Sequence, residues 1–228
     1  MRSIGHRRKQ TAESDTKAQL IEAGERLFGY HGLEGVSLRQ IAAAVGSSNS
    51  YVVQYHFGDK EALFWAIFVR RLPSLEVGRG ALLAKARQDG RAEDPRTLLE
   101  VILRPMSEER DQKGRRSYAG FLLGLRSRHS LTQRRREAAE LAPLTEHLVE
   151  LLRTAVGPMP WALFSSRMLA ATTLYWHALT DLDDQLFSTG RLAVSEEATL
   201  SETLDAGIRI LTAPVSPESW AAFAAAAE

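Results

Sequence analysis

A cluster of polar side chains between residues 37 and 54 has the types and spacing needed to hold a nucleic acid. Ser37 and Arg39 open one short run of helical pattern, and Ser48, Asn49, Ser50, Tyr51 and Gln54 lie on the next. Short hydroxyl and amide groups reach base edges. The Gln54 amide offers the paired donor and acceptor that match adenine, a pairing that discriminates by ~1–3 kcal/mol. Arg39 can meet phosphate, a contact that needs only positive charge within reach and sets orientation rather than sequence.

These residues require elements to position them. Ser37 is a good N-cap, because its hydroxyl can accept an unpaired amide of the first turn. Leu38, Ile41, Ala42 and Val45 then recur on one face at helical spacing. Gly46 follows, where glycine lets the chain turn with positive φ. Ser47-Ser48-Asn49-Ser50 can cap a second helix whose inner face is Val52, Val53 and Phe57. Tyr51 and Tyr55 have a second possible use, with rings packed on Val45 or Phe28. Asp59 caps a third helix beginning Lys60-Glu61-Ala62-Leu63. Two short helices about a glycine turn, the second rich in polar groups, describe a helix-turn-helix.

The stretch resembles the DNA-binding head of the TetR family of bacterial transcriptional regulators. The resemblance rests on Leu33-Glu34-Gly35-Val36-Ser37, Ile41-Ala42, Val45-Gly46 and Tyr55-His56-Phe57-Gly58-Asp59-Lys60-Glu61-Ala62-Leu63. Upstream, Ala23 to Gly32 is similar to the family's first helix, so residues 14 to 68 are covered, under a third of the chain. The resemblance implies that Tyr55 and His56 end the recognition helix and touch backbone and thymine methyl, and that Lys60 binds phosphate. Between Gly46 and the Tyr-His-Phe this chain has one residue more than the commonest form of the motif. Polar Ser47 also follows the glycine where an apolar residue is usual.

At 228 residues and 44% hydrophobic, the chain can bury a sizeable core. It contains no cysteine, which excludes disulfides and thiolate metal sites and fits a reducing compartment. No apolar run approaches the ~20 residues that span a bilayer. Met1 to Gln10 is basic with no apolar segment after it, so a secretory signal is not expected. A cytoplasmic protein is the expectation. The net charge of +1 says little about partners, but its distribution says more. Arg2, Arg7, Arg8 and Lys9 form a basic arm that can lie along DNA or simply solubilise. Arg104 to Arg136 holds a second basic concentration, read as a solvated face.

Residues 1–13 lack apolar periodicity and are expected to be disordered. Residues 14–60 form the helix-turn-helix domain, and residues 61–228 a helical regulatory and dimerisation body. Helix one starts near Ser14 or Asp15. Pro73 should kink or break the helix that follows Asp59. Later helices are expected at residues 97–109, 117–128, 132–156, 161–187, 195–211 and 219–228. With no alternating strand pattern, the fold class is all-α: a three-helix head and a larger helical body, roughly nine or ten helices in total.

A reader of this kind works in pairs, because two half-sites one turn apart demand two-fold symmetry. The family resemblance implies a homodimer through the last two long helices, with Leu169, Thr173, Trp176, Leu200, Leu204 and Ile208 as interface candidates. It also implies an apolar or aromatic small-molecule effector held in the body. Candidate walls are Trp65, Phe68, Met106, Tyr118, Phe121, Leu122, Met168, Thr172, Tyr175 and His177, each of which ordinary core packing would equally explain. Double-stranded operator DNA is the expected macromolecular partner, and no cofactor is implied. No Gly-rich phosphate loop, HExxH pair or nucleophile elbow appears, so an enzyme is not expected. His177 with Asp181, and Glu146 with His147 and Glu150, are too few for a metal site and read as salt bridges or polar contacts. The other reading weighed is an architectural DNA-binding protein without effector; modest charge and a large body stand against it.

Overall fold

The structure, a computed structural model, describes residues 3–49, 51–125 and 135–225. All its regular elements are helices, with no strand among the described residues. The chain divides into two compact units, residues 1–71 with 110–135, and residues 72–109 with 136–228.

The first unit holds α1 (Ser3–His31), α2 (Leu38–Ala44), α3 (Val52–Phe57), α4 (Lys60–Arg70) and α8 (Ser117–Leu125). α1 begins at Ser3, well before the expected start near Ser14. Residues 3–13 contain no proline, and Arg, Lys and Gln are good helix formers, so the helix extends without needing an apolar stripe. Leu20, Phe28, Ile41, Val53, Leu63, Phe64, Ile67 and Phe121 form the buried core. Within it the Phe28 and Phe64 rings meet edge-on with centroids 4.9 Å apart.

α8 is part of this unit although it lies far along the sequence. A Cβ on Gly120 would sit 2.5 Å from the Gly29 carbonyl oxygen, and one on Gly29 would strike the Ser117 carbonyl. The two glycines therefore bring the backbones of α1 and α8 into direct contact. Beside them Glu25, 2% exposed, accepts from Arg71 Nε at 2.9 Å and Nη2 at 2.7 Å, and from the Ser117 hydroxyl at 2.8 Å. The Tyr118 hydroxyl donates to the Phe68 carbonyl at 2.9 Å.

The second unit holds α5 (Leu72–Gln88), α6 (Pro95–Leu103), α7 (Pro105–Glu108), α9 (Arg135–Leu141), α10 (Pro143–Ala155), α11 (Trp161–Thr189), α12 (Glu196–Thr212) and α13 (Pro217–Ala225). Pro73 stands in the first turn of α5, where its missing amide would be unpaired anyway, so the break falls at Arg71 as expected. One helix expected over 132–156 is instead α9 and α10. Pro143 cannot continue the first and begins the second. Glu76 caps α10, accepting from Leu144 N at 2.8 Å and Thr145 N at 3.2 Å, where a carboxylate is favoured by the exposed amides. Arg79, 6% exposed, joins that knot to the Ile102 carbonyl. α11 and α12 pack along their lengths, with Gly207 3.1 Å from Leu99 and 3.5 Å from Ala171 by the Cβ it lacks.

Gly120→Ala should lower stability by roughly 1–3 kcal/mol, because the added methyl meets backbone that cannot rotate away. Gly80→Ala should raise it by about 0.5–1 kcal/mol, since its Cβ would meet only Leu144 at 3.7 Å and alanine is the better helix former. Urea midpoints of the two variants should move in opposite directions. Separately, Asp94 caps α6 through Thr97, whose hydroxyl and amide bonds hold its carboxyl below the usual aspartate range despite opposing burial. That contribution is complete above the ordinary aspartate range and is lost as pH falls through the depressed value. Asp94→Asn should flatten part of the acid limb of the pH–stability curve, measured by denaturant midpoints.

Candidate nucleic-acid interface

The Ser37 cap is reciprocal. Its hydroxyl accepts from Gln40 N at 3.3 Å, and Gln40 Oε1 accepts from Ser37 N at 2.8 Å. Ile41 and Ala42 are buried beneath α2, while Ser37 and Arg39 face solvent. The helix closes with two bonds, Ser47 N to Ala42 O at 3.1 Å and Gly46 N to Ala43 O at 3.0 Å. That pairing needs a left-handed residue between them, and Gly46 supplies it at φ 73°.

The turn is braced by side chains. The Ser47 hydroxyl accepts from Asn49 N at 3.2 Å and lies 3.2 Å from the Asn49 carbonyl, to which it donates. Asn49 Oδ1 accepts from Tyr51 N at 2.9 Å. α3 then runs only from Val52 to Phe57, shorter than the expected Ser48–His56 helix. Val53 is fully buried, whereas Val52 and Phe57, expected as core, are half-buried. On the outer side Tyr51 is 69% and Tyr55 73% exposed, with Gln54 exposed between them, so neither tyrosine ring is spent on the core. Half-buried His56 stands edge-on to Tyr55 at 5.1 Å. Ser48 and Asn49 are exposed, and Ser50 lies outside the described residues.

Several partners of this surface carry no sequence signal. The Tyr55 hydroxyl donates to Glu13 at 3.4 Å, and Lys17 Nζ lies 5.6 Å from the centre of the Phe57 ring, tying α3 to α1. Lys60 Nζ donates to the Leu33 carbonyl and sits 5.4 Å and 5.7 Å from the Phe28 and Phe64 ring centres. Its ammonium is therefore engaged with the head itself. Asp59 caps α4 as expected, accepting from Ala62 N at 2.7 Å.

The expected effector contacts fall in both units. Trp65, Phe68, Tyr118, Phe121 and Leu122 belong to the first. Met106, Met168, Thr172, Tyr175 and His177 belong to the second. Phe121 and Tyr175 are fully buried, Tyr118, Leu122 and Met106 are buried, and His177 is exposed. Trp65 and Phe68 are half-buried and stack at 5.5 Å, and half-buried Thr172 donates to the Met168 carbonyl at 2.7 Å. A cleft of about 160 Å³ between α5 and α6 is lined by Lys85, Asp89, Arg91 and Glu100 among others. A polar one of about 330 Å³ on the first unit is lined by Glu22, Arg26, Val45 and Gln112 among others. Neither includes an expected effector contact. Of the interface candidates, Leu200 and Leu204 are 1% exposed and belong to the protomer core, because they sit on the inward side of α12. Leu169 is 45% exposed, while Thr173, Trp176 and Ile208 are half-buried. Exposed Leu174, Leu186 and Phe187 on α11 were not among the candidates. Glu150 pairs with Arg153 at 2.6 Å rather than with a metal-ligand set.

Residues 20–67 match the pattern described as bacterial regulatory proteins, tetR family. The chain is 38% identical over 53 residues to the HTH-type transcriptional repressor AcnR of Corynebacterium efficiens, covering 23% of this chain and 28% of that protein. It is 37% identical over 54 residues to AcnR of Corynebacterium glutamicum, covering 24% and 28%. With AcnR of Corynebacterium diphtheriae it shares 37% over 57 residues, covering 25% and 30%. The matches thus span less than a third of the curated relatives' length. Over residues 20–67, then, the helix-turn-helix head of this chain is similar to that of the tetR family of bacterial regulatory proteins.

Proposed function

We propose that the chain is a sequence-specific DNA-binding transcriptional repressor that works as a cytoplasmic homodimer and leaves its operator when a small apolar or aromatic effector binds. The observation that carries the DNA reading is the outer side of α3. Tyr51, Gln54 and Tyr55 stand exposed there, held by buried Val53 beneath them. Gln54 is the base reader in this scheme, and Tyr51, Tyr55 and His56 add contacts to base methyl groups and backbone. Ser37 and Arg39 meet phosphate beside the groove. That the similar AcnR proteins are transcriptional repressors favours repression over activation.

The dimer uses α11 and α12, with Leu169 and Leu174 exposed on α11. Two copies would then set their α3 helices ~34 Å apart, one turn of duplex. Effector release is a linkage. A ligand lowers operator affinity only by its preference for the geometry that cannot span two half-sites.

The test is selection of bound duplexes from random DNA by the full chain, followed by a screen of small molecules for release of the enriched site. A site with two-fold symmetry and half-sites one turn apart is expected; enrichment of none would end the proposal. Gln54→Ala should then cost ~1–3 kcal/mol at one base pair of each half-site and leave other positions as they were. Arg39→Ala should weaken binding to all sequences alike and reduce the slope of log affinity against log salt by about one unit per half-site.

A further inference from the structure

The sequence places Asn49 among the base readers, but the structure commits its oxygens to the backbone. Oδ1 accepts from Tyr51 N at 2.9 Å, and its carbonyl accepts from Val52 N at 3.2 Å. Those are the amides that the first turn of a helix leaves without partners. Tyr51, which flanks α3, makes no side-chain cap of its own. Asn49 therefore does the capping from two residues upstream. Its own backbone is held in turn by the Ser47 hydroxyl, through bonds of 3.2 Å to both its amide and its carbonyl. Polar Ser47, directly after Gly46, belongs to this brace.

We infer that Asn49, braced by Ser47, is the positioning residue of the recognition helix: it sets where α3 starts after the Gly46 turn without itself reading a base. The inference rests on the DNA-reading function proposed above. Register matters because a helix advances about 100° per residue. A start displaced by one position turns Tyr51, Gln54 and Tyr55 away from the groove together, so every base contact of α3 is lost at once. A helix of six residues has no length with which to resist such a slip. Loss of a base contact would act differently, at one base pair.

The experiment compares full-length wild type, Asn49→Ala, Asn49→Asp and Ser47→Ala by selection from random double-stranded DNA. The readout is base preference at each position, alongside salt-dependent affinity for one fixed non-specific duplex. Asn49→Ala should flatten all positions read by α3 together, cutting the ratio of selected to random DNA roughly tenfold or more. Its salt slope on the non-specific duplex should stay as in wild type. Asn49→Asp keeps the acceptor, so it should bind more weakly everywhere yet retain the wild-type order of preferences. Ser47→Ala should flatten the same positions more mildly, and it stands in if Asn49→Ala fails to fold by circular dichroism. Three outcomes overturn the inference: Asn49→Ala altering a single position, Asn49→Ala leaving the profile intact, or Asn49→Asp losing the profile as Asn49→Ala does. Failure of wild type to enrich any site would sink the DNA-reading proposal instead.

Discussion

Neither α2, with seven residues, nor α3, with six, is long enough to exist as a helix by its own hydrogen bonds. Nucleating a helix fixes several dihedrals for one bond, so isolated helices under ~12–15 residues are marginal in water. The helix-turn-helix surface therefore depends on what surrounds it: a cap at each start, a left-handed glycine between them, and one buried anchor per helix. Ile41 and Val53, both fully buried, are those anchors. With the inner side held this way, the outer side can carry exposed groups such as Tyr51 and Gln54 that the buried core does not use.

That division explains why the head recruits α8. α1, α2, α3 and α4 leave one flank of Phe28 and Phe64 to be covered, and Phe121 covers it, its ring centre 6.4 Å from Phe28 and 6.3 Å from Phe64. Covering it closely demands glycine at 29 and 120, because each faces backbone of the opposite helix. The polar ring beside the contact is equally tight. Burying Glu25 would be costly alone, but Arg71 meets it with two bonds and Ser117 with a third. The turn before α8 is fastened in the same manner. Asp111 accepts from Lys113 N at 2.8 Å and Arg115 N at 3.1 Å, and the Tyr30 hydroxyl also donates to it. Burial first, and then that bond, push the Tyr30 hydroxyl well above its ordinary range, so it remains a donor at any physiological pH.

The second unit is built by the same economy of caps and small residues. Glu76 ends the run of unsatisfied amides at α10, Ser195 does so for α12 through Ala198 N at 3.2 Å, and Gly190 closes α11 in the left-handed region at φ 72°. Arg96 bridges Asp205 at 2.5 Å and Glu100 at 3.1 Å, fastening α6 to α12 at a partly exposed site. Among the described residues no helix is long and apolar enough to cross a membrane. The exposed leucines Leu169, Leu174 and Leu186 lie on α11, which also packs on α12.

The sequence by itself determined the all-helical class, the place of the helix-turn-helix and most of its punctuation. Ser37, Gly46, Asp59, Pro73, Gly190 and Ser195 act where the sequence puts them, because a cap, a positive φ or a missing amide works within four or five residues of its own position. Pro143 obeys the same local rule, breaking the helical pattern at its own position. Only the tertiary structure decided which buried residues share a core, and so brought α8 to the head and put Leu200 and Leu204 inside the protomer. It also decided what Asn49 and Lys60 bond to. Helical periodicity shows that a face is apolar or polar, but the identity of the surface opposite it is fixed by contacts between residues far apart in the chain, which no local pattern encodes.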